Sequence, residues 1–339
     1  MTQPKAKNFF EKFTGEPAQD FLVLAQSGSA RINYKAVVQD HPYILTYNEN
    51  LLENEAFFYF SEIFEKLNLN TPRILAISED RKMYVQEYLG SQTLSEIIAK
   101  EGLSKRVIAL VKQSLEHLFE LQKAMENQID YTKTFEYDHY GTLPVLHDLN
   151  YFKFLFVDVL GVSYQKSKLL LEFNDLSQLI KNLEPRGLMI RDFQARNIMV
   201  NDQDEVFFID YQAAMHGPLL YDVVSFLYQG KANFPEAFKA QMLSYYAQLW
   251  EDEAATKNLM SCLEPLRLMR YLQVLGVYGL RGLVEKKPHF LASIPQGLEN
   301  INQLAQSWEG LEKFPELKGL ILKLQAPEIK EKIKQITSL

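Results

Sequence analysis

The 339-residue sequence holds a single cysteine, Cys262. No disulfide can form within the chain, and a reducing compartment is its simplest setting. No apolar run approaches the ~20 residues needed to cross a bilayer. The opening MTQPKAKNFFEKF is polar and has no apolar core of an export signal, so a cytoplasmic protein with no membrane partner is expected. Positive charge is also in deficit. Thirty-six Lys and Arg face 43 Asp and Glu, a net charge of −7, and the pI near 5.5 excludes a general nucleic-acid binder. Internal repeats and low-complexity tracts are missing. Glycine is sparse where a phosphate-binding fingerprint would need it, because the small-residue loop Gln26-Ser27-Gly28-Ser29-Ala30-Arg31 carries one. What remains is 47% hydrophobic, enough for two domains or one large bilobal unit.

Residues 8–14 predict a short helix closed by Gly15. Phe21–Leu24, Ile32–Val38 and Tyr43–Tyr47 then read as strands of an antiparallel sheet. Glu53–Leu67 has apolar residues at helical spacing, and Ile74–Ile77 and Lys82–Tyr88 add two strands. After Leu89-Gly90-Ser91 the periodicity becomes mostly helical, which places a boundary near residue 90. Helices are expected over 95–100, 104–125, 152–160, 169–183, 219–228, 234–249 and 254–283, and two more end the chain. Residues 131–150, rich in Tyr, Thr, Asp and His, read as a long loop. The expected fold class is α+β. A small sheet-bearing lobe (1–90) precedes a larger, mainly helical lobe (91–339) that carries one hairpin.

That hairpin organises the functional reading. In Met189–Tyr211 two apolar runs, 197–200 and 206–209, flank the polar turn 201–205. Asp192 and Asn197 stand just before the first strand and Asp210 ends the second, so pairing the strands gathers two carboxylates and an amide. Phosphoryl transfer from a nucleotide needs metal ligands, a cation on the phosphates and a group that orients the attacking hydroxyl. Asp192 is the candidate base, and Asn197 and Asp210 are the candidate Mg²⁺ ligands. The Asp-x-x-x-x-Asn spacing, followed thirteen residues later by Ile-Asp, is the kinase catalytic-loop arrangement.

RDFQARN and FFIDYQAAMHGPLLYDVVSFL resemble the aminoglycoside phosphotransferase/choline kinase-like superfamily of small-molecule kinases. Within it, 28–35, 191–222 and 269–278 are most similar to the anomeric sugar kinases of N-acetylmuramate and N-acetylglucosamine in cell-wall recycling. The resemblance implies a protein-kinase-like fold with ATP between its lobes, Gln86, Glu87 and Leu89 in the adenine-binding hinge, and Ser27, Gly28, Ser29 and Arg31 over the phosphates. It matches Glu55 to the glutamate of the amino-terminal helix, and Asp222 to a buried anchor of the catalytic loop. Two departures stand out. Ile190 replaces the histidine that usually precedes Arg-Asp, and Tyr43–Tyr47 lacks the phosphate-binding lysine, leaving Arg31 or Lys35 to supply the cation.

The acceptor is expected to bind the helical lobe. Arg267, Arg270, Arg281, Lys286 and Lys287 make 263–290 locally basic, which suits an acceptor bearing a carboxylate. Arg196 and Asp148 are further candidates for acceptor contact. The leading expectation is an ATP- and Mg²⁺-dependent kinase acting on the anomeric hydroxyl of an amino sugar. The alternatives are a kinase of another small alcohol, such as an aminoglycoside or choline, and a nucleotide-binding pseudokinase.

Overall fold

The computed structural model describes residues 2–25 and 30–337. The expected phosphate-loop residues Ser27, Gly28 and Ser29 lie outside the described residues. Packing divides the chain into two units, 1–138 with 190–215 and 139–189 with 216–339. The change from strand to helix at residue 90 falls inside the first.

The first unit is built on an antiparallel sheet of β1 (Asp20–Val23), β2 (Ile32–Val38), β3 (His41–Tyr47), β4 (Ile74–Ile77) and β5 (Met83–Glu87) in the order β1-β2-β3-β5-β4. Alternation along β2 decides its two faces. Tyr34, Ala36 and Val38 point to the back, where Ala6 and Phe10 of helix α1 (Thr2–Thr14) cover them together with Leu45 and Val85. Arg31, Asn33 and Lys35 line the front. Helix α2 (Leu51–Lys66) begins two residues earlier than its apolar periodicity suggests, because the Asn50 side chain accepts from the Glu53 N–H and caps it. Phe57 on α2 packs on Tyr84 of β5, ring centroids 5.1 Å apart.

A second sheet joins β6 (Gln92–Thr93) to the hairpin of β8 (Ile198–Val200) and β9 (Val206–Phe208). Helix α3 (Leu94–Glu101) follows β6 through a capping box of Thr93 and Glu96, and α4 (Lys105–Ala124) grips the hairpin turn. Gln113 accepts from the Val206 N–H at 2.6 Å, and Arg106 pairs with Asp204 at 2.7 Å.

The second unit is mainly helical. It contains α5 (Thr142–Phe152), α6 (Lys166–Lys181), the paired strands β7 (Arg186–Met189) and β10 (Met215–Pro218), α7 (Leu220–Leu227), α8 (Glu236–Gln248), α9 (Glu253–Ser261), α10 (Leu263–Val277), α11 (Pro288–Leu291), α12 (Ile294–Ser307), α13 (Pro315–Lys323) and α14 (Pro327–Thr337). The expected loop over 131–150 is corrected here, since α5 starts at Thr142. Pro144 does not prevent this, because it sits in the first turn, where a missing N–H breaks no helical hydrogen bond. The π-helical turns Lys153–Val157 and Tyr278–Val284 follow α5 and α10 and pack together. Gly279 makes that approach possible, as a Cβ there would lie 2.2 Å from the Leu155 carbonyl oxygen. No helix among the described residues is long and apolar enough to cross a membrane.

Candidate active site

The hairpin brings Asp192, Asn197 and Asp210 together as its pattern implies. The Asn197 amide group donates to the Asp192 carbonyl at 2.9 Å, to Asp192 Oδ2 at 3.2 Å and to Asp210 Oδ2 at 3.3 Å. Since Nδ2 serves both carboxylates, Oδ1 is the Asn197 atom suited to a metal. Apolar neighbours fix each member. Phe193, next to Asp192, is buried edge-on against Phe208 with ring centroids 4.8 Å apart. Tyr211, next to Asp210, stacks on Phe57 at 4.9 Å and shares a 2.7 Å hydrogen bond with Ser61 of α2. The Ile209 N–H closes the loop on the Asn197 carbonyl at 3.0 Å.

Arg191 and Asp210 adopt left-handed backbone, φ 74° and 68°. A non-glycine residue is strained there by about 1–3 kcal/mol, and such strain concentrates at functional sites. Ile190, in place of the usual histidine, is wholly buried and fills an apolar position.

Of the two candidates for the phosphate cation, Arg31 stands beside this cluster and Lys35 does not. Arg31 Nη2 donates to Asp210 Oδ1, and Arg31 Nε lies 3.5 Å from Glu53 Oε1. Burial works against the guanidinium charge, but the charge and hydrogen bond of Asp210, with Glu53 behind it, outweigh burial and raise the Arg31 pKa. Lys35, four residues along β2, holds its ammonium 4.7 Å above the Tyr88 ring. The inward positions of β3 are Ile44 and Thr46, so β2 supplies the positive charge that β3 lacks. Glu55 is placed elsewhere: it forms an exposed pair with Arg81 and does not line the cleft. The glutamate that α2 directs to the site is Glu53, and the capped start of the helix sets that phase.

Arg31, Asn33, Lys35, Thr46, Tyr84, Asn197 and Asp210 line a cleft of about 540 Å³ with Gln86, Glu87, Tyr88 and Leu89 along one edge. Its size suits a nucleotide-sized ligand. The Glu87 carboxylate is held by the Arg73 backbone N–H at 3.0 Å and by its guanidinium, and the Glu87 N–H donates to the Arg73 carbonyl at 3.1 Å. The buried Gln86 Oε1 has no hydrogen-bond partner. Burial pushes the Tyr84 hydroxyl up to about 12, so it stays neutral. Gly90, at φ 117°, crosses β8 so closely that a Cβ would sit 2.6 Å from the Val200 carbonyl oxygen.

No cluster of three or more His, Cys, Asp or Glu suited to a metal occurs among the described residues. Asn197 and Asp210 nonetheless fit Mg²⁺, which keeps several waters and uses one or two protein oxygens together with phosphate oxygens. Asp192 is about one-third exposed, and its Oδ2 accepts from Arg196 at 2.8 Å. Gln194 Nε2 donates to Asp192 Oδ1.

The remaining acceptor candidates lie in the second unit. Asp148 is buried and accepts from the Tyr140 hydroxyl at 2.9 Å. Arg270 is buried and donates to Gln273 Oε1, which also accepts from the Tyr221 hydroxyl at 3.2 Å. Arg267 pairs with Glu264 at 2.9 Å and lies 4.4 Å over the Tyr228 ring. Glu285 takes both Arg281, at 2.8 Å, and Lys287, at 3.0 Å. Two of the cations expected to make 263–290 basic, Arg267 and Arg281, thus meet a glutamate one helical turn away, while the segment keeps five cations against two glutamates. Asp222, on α7, is fully buried.

An antiparallel sheet faced by a nucleotide-sized cleft, with the Asp-Asn-Asp cluster at its rim, defines a small-molecule kinase of protein-kinase-like fold. The chain belongs to the phosphotransferase enzyme family, whose profile matches residues 20–259. It is 23% identical over 322 residues to an N-acetylmuramate/N-acetylglucosamine kinase of Neisseria meningitidis serogroup B, covering 91% of this chain and 92% of that protein. A Pseudomonas putida protein of the same name is 22% identical, with 91% and 90% covered. Among solved structures, the fold is shared with choline kinase LicA from Streptococcus pneumoniae (TM-score 0.60, 13% identity, 88% of this chain and 98% of that one). It is likewise shared with an aminoglycoside phosphotransferase, APH(4)-Ia, in complex with ADP and hygromycin B (TM-score 0.59, 16% identity, 90% and 99%).

Proposed function

We propose that this kinase transfers the terminal phosphoryl group of ATP, with Mg²⁺, to the anomeric hydroxyl of an amino sugar, N-acetylmuramate or N-acetylglucosamine, in the cytoplasm. The observation that carries the catalytic part is Asn197 held within 3.3 Å of both Asp192 and Asp210. In this reading residues 1–90 bind the nucleotide, with Gln86–Leu89 along the base and Arg31 at the phosphates, while 91–339 carry the catalytic hairpin and the acceptor pocket. Asn197 and Asp210 would hold the metal, which would supply charge neutralisation at the phosphates. Asp192 receives the acceptor hydroxyl proton as the oxygen attacks phosphorus. Arg196, paired to Asp192, orients the base and lies where it can meet the acceptor.

The amino-sugar assignment is supported by the names of the two relatives matched over nine-tenths of the chain. Of the basic segment from which a carboxylate preference was drawn, Arg267 and Arg281 have glutamate partners, while Arg270 donates to Gln273.

The test is incubation with ATP and Mg²⁺ and either sugar, with choline and hygromycin B as contrasts, followed by phosphorus NMR for an acid-labile sugar 1-phosphate. Product from choline or hygromycin B alone would reassign the acceptor. In Asp192→Asn, kcat should fall roughly 10²–10⁴-fold while ATP affinity holds; full activity in that variant would remove Asp192 from the chemistry.

A further inference from the structure

We propose that Arg31 is an exchangeable counter-ion: it neutralises Asp210, yields that carboxylate to a divalent cation arriving with the nucleotide, and passes to the phosphates while Glu53 keeps hold of it. This rests on the reading of Asp210 as a metal ligand. Glu53 and Asp210 anchor Arg31 in different ways. Glu53 is fixed, because its Oε2 accepts from Asn48 Nδ2 at 2.9 Å and its N–H is capped by Asn50. Asn48 is itself buried and bonded to Asn54 at 3.1 Å. Glu53 thus presents Oε1 to Arg31 Nε from a rigid pedestal.

Asp210 is the anchor that must be shared. Its Oδ1 already accepts from Arg31 and, at 3.0 Å, from Gln212, and its Oδ2 accepts from Asn197. A second positive charge on the same carboxylate oxygen meets Arg31 at contact distance, so the guanidinium and a divalent cation replace one another. The fork geometry of arginine permits the exchange. Nε can stay on Glu53 while the Nη groups turn to an anion, and a lysine ammonium cannot span both partners. Lys35 cannot take the role either, its ammonium being held over the Tyr88 ring.

The consequence is that the protein discriminates against bare divalent cations and takes the metal as its nucleotide complex. Mn²⁺ binding to the full chain, followed by electron paramagnetic resonance with and without ADP, tests this. Arg31→Met should tighten nucleotide-free Mn²⁺ binding on the order of tenfold, the worth of one charge-assisted hydrogen bond, and weaken Mn²⁺·ADP binding. Lys35→Met removes the same charge from the same strand face, and its effect on nucleotide-free Mn²⁺ should stay well below that. Arg31→Lys guards against misfolding of the Met variant: it should exclude bare Mn²⁺ as the wild type does, yet lose affinity for Mn²⁺·ADP. Equal shifts in Arg31→Met and Lys35→Met, or wild-type behaviour of Arg31→Lys in both assays, overturn the exchange. Absence of Mn²⁺ from wild-type protein with ADP overturns the metal reading of Asp210 itself, whatever Arg31 does.

Discussion

Replacing Asn197 by aspartate alters one atom type and turns a donor shared by two carboxylates into a third negative charge. The new oxygen would lie 3.2 Å from Asp192 Oδ2 and 3.3 Å from Asp210 Oδ2. At an effective dielectric of about 20, each contact is repulsive by about 5 kcal/mol, reduced by Arg196 on Asp192 and Arg31 on Asp210. The substituted side chain can escape by taking a proton. At pH 7 that costs about 4 kcal/mol, since its unfolded pKa is about 3.9 and each unit is worth about 1.4 kcal/mol, so this is the ceiling on the loss. A carboxyl whose folded pKa is raised destabilises most at high pH. The deficit should therefore shrink by about 1.4 kcal/mol per unit as pH falls, to about 1.5 kcal/mol at pH 5. Asn197→Ala, which loses hydrogen bonds but adds no charge, should cost about 2–3 kcal/mol with little pH dependence. Denaturant titrations of both variants and the wild type at pH 5, 7 and 8 measure these differences, and added Mn²⁺ should restore the aspartate variant more than the others. An aspartate variant as stable as wild type at pH 8 without metal would refute the placement of Asn197 between two charged carboxylates.

Two further outcomes follow from the packing. Gly279→Ala drives a methyl to 2.2 Å from the Leu155 backbone, which has no rotamer to yield, and should cost about 3 kcal/mol or more in stability by denaturant titration. Gly319→Ala, on α13 with nothing within 4 Å, should be neutral or stabilise by up to about 1 kcal/mol. At the cleft, Gln86→Leu removes a buried acceptor without a partner; ATP affinity measured by calorimetry should drop several-fold more than GTP affinity if that oxygen receives the adenine amino group.

Much of the site was legible because strand alternation and hairpin pairing are local. The period of two along Ile32–Val38 separates Arg31, Asn33 and Lys35 from Tyr34 and Ala36, and the turn 201–205 fixes which residues the hairpin joins. The choice between Glu53 and Glu55 was not legible from apolar spacing, since it depends on where the helix starts. Asn50 sets that start through its side chain and brings Leu51 and Leu52 into the first turn, although both are exposed. α5 was hidden by the polarity of 131–141 and by Pro144, whose position in the first turn cannot be known before the turn is placed. Likewise, counting charges over 263–290 revealed a surplus of cations, while side-chain directions determine which of them meet a glutamate.

Helix α1 has a practical consequence for handling the protein. Ala6 and Phe10 are fully buried against the reverse of the strands whose other side forms the nucleotide cleft. Trimming residues 1–14, or fusing a bulky tag that pulls on them, exposes Tyr34, Ala36 and Leu45 to water and loosens the strand that carries Arg31 and Lys35.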